Sequence, residues 1–185
     1  RGVAALRIDL GGATLAAEAA AAEAALAALA AETGMRPAVL GYSQGGLVAL
    51  AMGTGAARVA LWNPVLDPGH TYRALYGAAV DRALRLAAGG QGGAAVAGQR
   101  ADFFADALAR DGRAAAARLP VPLLIVAGDA DRLAPPGAPV PGALTLRAAA
   151  GHDLGARDDL ALFDRIAACT AAFLDGHVSD AWPAP

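Results

Sequence analysis

The chain has 185 residues, 56% of them hydrophobic, and a formal net charge of −2, which is length enough for one domain around a substantial core. So even a charge balance argues against a nucleic-acid partner, whose phosphates call for a clustered basic face. The single cysteine, Cys169, excludes an internal disulfide framework, so no oxidising compartment is implied and a cytoplasmic location is expected.

Much of the hydrophobic fraction is alanine. The alanine-rich run at 13–31 is broken by Glu18 and Glu23 and holds no large side chains beyond leucines, so no membrane span is expected. All fifteen basic residues are arginine, which with the excess of alanine and glycine reads as GC-rich, bacterial-type coding. The sequence starts at Arg1 without a leader pattern, and the native start is expected to lie upstream.

Residues 3–9 (VAALRID) form a short apolar run closed by Gly11 and Gly12, the pattern of a buried strand. Residues 13–33, rich in Ala, Leu and Glu, predict a helix stopped by Gly34. Residues 37–42 (PAVLGY) predict a second strand, 44–52 a second helix and 58–62 (RVALW) a third strand. Then the rhythm breaks. Residues 63–118 hold Pro64, Pro68, two helical patterns and GGQGG at 89–93, read as a lid or cap with a flexible waist. Residues 122–127 (PLLIVA) carry the strongest strand pattern, and a fifth strand is expected at 143–148. Residues 157–175 predict an amphipathic closing helix, and the tail from Gly176 reads as loose. Strands alternating with helices predict an α/β fold, a parallel sheet with helices on both faces, as one domain over 1–185. In such sheets function gathers at the carboxyl ends of the strands.

One of those ends is GYSQGG, 41–46, which contains one of only two serines, Ser43 and Ser179. Gly41-x-Ser43-x-Gly45, after a strand and before a helix, fits the sharp turn that presents a nucleophilic serine. Small residues are needed on both sides because the turn brings them together. The backbone N–H of Gln44, at the helix start, is then expected to face a developing oxyanion. The competing reading is a glycine turn with an N-capping serine.

A serine hydroxyl needs a base. Of His70, His152 and His177, His152 directly follows a strand, in AAAGHDL. The base needs an acid to fix its tautomer. Asp129 and Asp131 both follow PLLIVAG. Asp131 is favoured, because Asp129 lies nearer the strand, where aspartates bond turn backbone. Asp153 reads as a solvated or loop-capping residue. Tyr72, Leu75, Tyr76, Phe103 and Phe104 are candidates for an apolar acyl pocket, with ordinary cap core as the alternative. Three scattered histidines and one cysteine make no metal site, and no cofactor is expected.

GYSQGG, PLLIVAGDADRLAPP and AAAGHDL, in that order, resemble the α/β-hydrolase superfamily. The resemblance covers nearly the whole chain. Gly128, Asp131 and Pro135 match the family's G-x-x-D-x-x-x-P setting for the acid, and Gly151-His152 matches its G-H setting for the base. The excursion at 63–118 matches the family's cap. The resemblance implies a serine hydrolase with Ser43, His152 and Asp131 as its triad. It would cleave a small-molecule carboxylic ester or thioester through an acyl-enzyme. Acyl transfer and peptide hydrolysis use the same triad. A catalytically inactive binding module is a further alternative. So is a nucleotide-binding domain with residues 10–13 at a helix start, but G-x-G-x-x-G and the P-loop are absent.

The same resemblance implies three more strands upstream of residues 3–12, and a loop carrying a second oxyanion N–H. RIDLGG is similar to the family's next strand and D-x-x-G turn. Arg1 is therefore expected to fall inside an N-terminally truncated, three-layer fold. Either the chain is a piece of a longer one, or residues 3–9 pair directly with 37–42 in a compact five-stranded sheet. In the compact form, Gly11-Gly12 is the remaining source of a second donor. Loss of one such donor costs roughly 10²–10³ in kcat.

Overall fold

The computed structural model of the chain describes residues 5–10, 14–52 and 55–177. The helices are α1 (Leu15–Thr33), α2 (Gln44–Ala51), α3 (Pro68–Tyr76), α4 (Ala79–Ala88), α5 (Ala101–Leu108), α6 (Gly112–Ala117) and α7 (Leu160–Leu174). The strands are β1 (Val39–Tyr42), β2 (Val59–Trp62), β3 (Ala95–Val96), β4 (Gln99–Arg100), β5 (Leu123–Gly128) and β6 (Leu144–Ala148). Strands β1, β2, β5 and β6 form one parallel sheet in that order. Strands β3 and β4 form a small antiparallel hairpin.

Local chemistry accounts for the boundaries. The Thr14 hydroxyl accepts from the Ala17 N–H to start α1, and Gly34 ends it at φ 66°. Asp67, Asp111 and Asp159 cap α3, α6 and α7 in the same way. Strand β5 is buried along its whole length because it lies between β2 and β6 with both faces covered. Its alternate side chains split the core. Leu123 and Ile125 face Leu50 of α2 and Ala116 of α6, whereas Leu124 and Val126 face Ile166 and Phe173 of α7. Helices thus cover both faces, as the alternation predicts. No helix among the described residues is long and apolar enough to cross a membrane.

Two expectations are corrected. Residues 3–9 read as a strand, yet the described part, 5–9, is exposed and outside every sheet. The main sheet has four strands among the described residues, β1 is its edge, and the compact five-stranded arrangement does not form. Short-range apolarity marks a segment able to form a strand, but a strand exists only with a partner. Without one, Leu6 and Ile8 stay 54% and 39% exposed. The second correction concerns 63–118, which holds four helices rather than two. Its GGQGG run, read as a flexible waist, makes a defined turn and a bond to the next helix. Gly90 turns at φ 78°, and the Asp102 N–H donates to the Gly92 carbonyl, tying the run to α5. The excursion shares one apolar cluster with the helices beside it, from Leu15 and Ala19 of α1 through Leu47 of α2 to Val80, Phe103 and Phe104. The expected tail beyond His177, with Ser179, lies outside the described residues.

Candidate active site

Ser43 joins β1 to α2 at φ 52°, ψ −117°, a backbone state that costs a non-glycine residue about 1–3 kcal/mol and persists where neighbours enforce it. They do so here. The Ser43 N–H donates to the Trp62 carbonyl, and its own carbonyl accepts from the N–H groups of Gly46 and Val65. The turn is cramped. A Cβ on Gly41 would lie 2.5 Å from the Gly45 oxygen, and one on Gly46 would lie 2.7 Å from Pro64 Cβ. A Cβ on Gly45 would meet nothing within 4 Å. The positions that exclude side chains are therefore 41 and 46, not the pair flanking the serine symmetrically.

The Ser43 side chain makes no capping bond to α2. Its Oγ lies 2.9 Å from His152 Nε2, and His152 Nδ1 lies 2.7 Å from Asp131 Oδ2. Oδ1 of the buried Asp131 accepts from the N–H groups of Leu133 and Ala134, at 2.9 and 3.0 Å. A carboxylate facing Nδ1 assigns the ring proton there and leaves Nε2 to accept from the serine. Asp129, the other candidate acid, is exposed and pairs with Arg147. Neither other histidine is bonded to Ser43. His70 Nε2 lies 3.4 Å from the Arg132 carbonyl, and His177 pairs with Asp175 at 3.3 Å. Asp153 accepts from the Gly155 N–H at 3.3 Å, the expected loop cap.

Gln44 is the first residue of α2, so its N–H has no carbonyl one turn earlier to donate to. Its side-chain Nε2 donates to both oxygens of Glu18, at 3.3 and 3.1 Å. Glu18 is 2% exposed, a carboxylate carried into the core by α1. Gly11-Gly12, the expected second oxyanion donor, lies outside the described residues.

Of the five candidate pocket residues, three lie in the core. Tyr72, Phe103 and Phe104 are buried against one another edge to face, with centroids 5.5 to 6.0 Å apart. Tyr76 packs its ring on Phe104, and Leu75 points to solvent. Edge-to-face contacts of this kind set the positive edge of one ring against the negative face of the next. Two surface clefts among the described residues, one lined by Leu26, Ala30 and Pro37, the other by Leu50, Ala109 and Arg118, include none of the five. The Tyr72 hydroxyl is buried without a hydrogen-bond partner among the described residues. Burial pushes it well above the ordinary phenol range, and the charges of Glu18 and Tyr76 add to that.

Sequence reasoning missed three residues around this site. Asn63, one residue beyond β2, bonds the loop that carries His152. It occupies a strand end as Asp131 and His152 do, so the same rule would have found it. The Tyr42 hydroxyl donates to the His152 carbonyl at 3.2 Å. Glu18 shares a stripe with Leu15, Ala19 and Ala22, the spacing of a buried helix face.

An imidazole held between a carboxylate and a hydroxyl takes the hydroxyl proton as the oxygen attacks a carbonyl. Among the described residues no group of three or more His, Cys, Asp and Glu side chains is placed to hold a metal ion.

No protein-family model and no curated protein matches the sequence. Solved structures do match. A monoacylglycerol lipase from Paleococcus ferrophilus is 17% identical with a TM-score of 0.62, over 90% of this chain and 77% of that one. A hydrolase from Pseudomonas aeruginosa PA01 is 22% identical with a TM-score of 0.60, over 93% of this chain and 77% of that one. An esterase from Exiguobacterium antarcticum is 14% identical with a TM-score of 0.57, over 90% and 76%. Identities this low speak to architecture and leave chemistry to the site. With its parallel β1-β2-β5-β6 sheet, helices on both faces and this likeness along nine tenths of its length, the chain has the α/β-hydrolase fold.

Proposed function

We propose that the chain is a serine hydrolase of small-molecule carboxylic esters or thioesters. The observation that carries this reading is the unbroken line from Ser43 Oγ through His152 to Asp131, at 2.9 and 2.7 Å. Ser43 attacks the acyl carbonyl while His152 Nε2 takes its proton. The oxyanion forms beside the Gln44 N–H at the start of α2, where the helix dipole favours negative charge. His152 then returns the proton to the leaving alcohol or thiol, giving an acyl-enzyme and a free leaving group. Next, His152 activates water to release the acid. Asp131 holds the imidazole in the productive tautomer throughout. Esterase and lipase activities recorded for proteins of similar fold agree with this reading.

A fluorophosphonate probe tests it. Labelling of the folded protein that disappears in Ser43→Ala is the expected result. A second reading, an inactive hydrolase-like binding module, draws on a specific observation: Gln44 is the one oxyanion donor identified among the described residues. Folded protein that takes up no label would favour that module and sink the hydrolase.

A further inference from the structure

Asn63 is fully buried and turns the chain at φ 41° immediately after β2. Its side chain bonds two neighbouring elements, through its oxygen and through both of its N–H groups. Oδ1 accepts from the N–H of Gly128, the last residue of β5, at 2.7 Å. Nδ2 donates to the carbonyls of His152 and Gly151, at 2.7 and 3.1 Å. Gly128 in turn accepts the Asp131 N–H at 3.1 Å. One amide therefore grips the backbone that launches Asp131 and the backbone that carries His152. The two elements also touch directly, since a Cβ on Gly128 would strike the carbonyl oxygens of Ala150 and Gly151.

We propose that Asn63 is a positioning residue that sets the orientation of the His152 imidazole by clamping its backbone to the end of β5; this rests on the hydrolase reading above. His152 has to span 2.9 Å to Ser43 and 2.7 Å to Asp131 at once. A small rotation of its backbone swings the ring, and hydrogen bonds weaken steeply as their angle closes. Asparagine suits the position twice over. It tolerates positive φ better than most side chains, and its short amide supplies both an acceptor for an N–H and two donors for carbonyls. A purely structural turn residue would need only the first property.

Two substitutions separate these roles. Asn63→Gly keeps the backbone conformation and removes the clamp. Asn63→Asp keeps the acceptor for Gly128 and turns an oxygen toward the two carbonyls that need a donor. The full chain is examined by fluorophosphonate labelling and by the low-field NMR signal of the His152 Nδ1 proton. The maximal labelling rate of both variants is expected to fall, by up to roughly 10²-fold for a displacement near 1 Å, with the half-saturating probe concentration unchanged. Asn63→Gly combined with His152→Ala is expected to label no more slowly than His152→Ala alone, since residues acting through one group are not additive. The low-field proton is expected to shift or vanish in Asn63→Gly and persist in Ser43→Ala. Wild-type labelling and an unmoved proton signal in Asn63→Gly would overturn the proposal. Should wild-type protein take no label, the hydrolase reading fails, while the proton signal still decides for or against the clamp.

Discussion

On one side of Ser43, the ends of β2, β5 and β6 converge. Asn63, Asp131 and His152 stand there with their polar atoms bonded to each other or to backbone. On the other side stands β1, the edge of the sheet, with Leu40 and Tyr42 48% and 46% exposed. In a parallel ladder the backbone of alternate residues faces alternate neighbours, and Val39 and Ser43 donate toward β2. Leu40 and Tyr42 therefore turn their N–H and C=O groups outward, where no strand pairs with them among the described residues. On the proposed function, the proton-transfer half of the site is an interior feature, fixed by strands that hold each other. The proposed oxyanion half hangs on one helix start at the sheet's margin.

Asp131→Asn tests the interior half hardest. An amide still accepts from the Leu133 and Ala134 N–H groups, so the fold is expected to survive. However, it no longer fixes the proton on His152 Nδ1, and the labelling rate is expected to drop by about 10⁴. A drop of less than tenfold would mean that the bonded side is not what activates Ser43. Glu18→Ala tests the marginal half. It removes the acceptor of Gln44 Nε2 in a part-buried contact between α1 and α2, and leaving a donor unpaired costs about 1–3 kcal/mol where water is excluded and less where water reaches it. Urea unfolding is expected to show that loss, with labelling of the folded fraction within a factor of about ten of wild type, because the Gln44 N–H is set by backbone. Glu18→Gln, which keeps an oxygen at the contact, should recover most of the stability. Unchanged stability with collapsed labelling would reverse the contrast and tie the oxyanion donor to Glu18.

The interior half was also the half legible in the sequence. Serine and histidine are scarce in this alanine- and glycine-rich chain, and Ser43, Asp131 and His152 each follow a strand pattern closely enough for topology to bring them together. Asn63 obeys the same rule, but Asn-Pro reads first as a turn, and no spacing encodes bonds from its amide to distant carbonyls. Residues 3–9 misled for the reason that left β1 an edge. Apolar patterning is local, whereas a strand's partner is not. The aromatic residues of α3 and α5 left two readings open for a different reason, since rings that line a pocket and rings that fill a core have the same composition and helical spacing. Glu18 fell on a buried stripe, yet an acid amid alanines reads equally well as a break in an apolar run.

Tyr42 links the two halves and so gives the finest test of the contrast. It lies on the edge strand next to Ser43, donates to the His152 carbonyl at 3.2 Å, and holds its ring 5.3 Å from the imidazole at 41°. Burial raises its hydroxyl above the ordinary phenol range, the charges of Asp131 and Asp153 push the same way, and Arg157 opposes them. A raised phenol keeps its proton. Its contribution to stability is therefore fully present below the ordinary value of 10.0 and fades only as pH climbs through the higher folded-state value. Tyr42→Phe deletes the donor and keeps the ring. The same carbonyl still takes the shorter bond from Asn63, at 2.7 Å, so the loss is expected at the low end for a neutral hydrogen bond, about 0.5 kcal/mol. That corresponds to about a twofold fall in labelling rate if it acts wholly on His152, and the difference from wild type should stay level across the neutral range. A tenfold fall would show that the edge strand, and not the interior, governs the base.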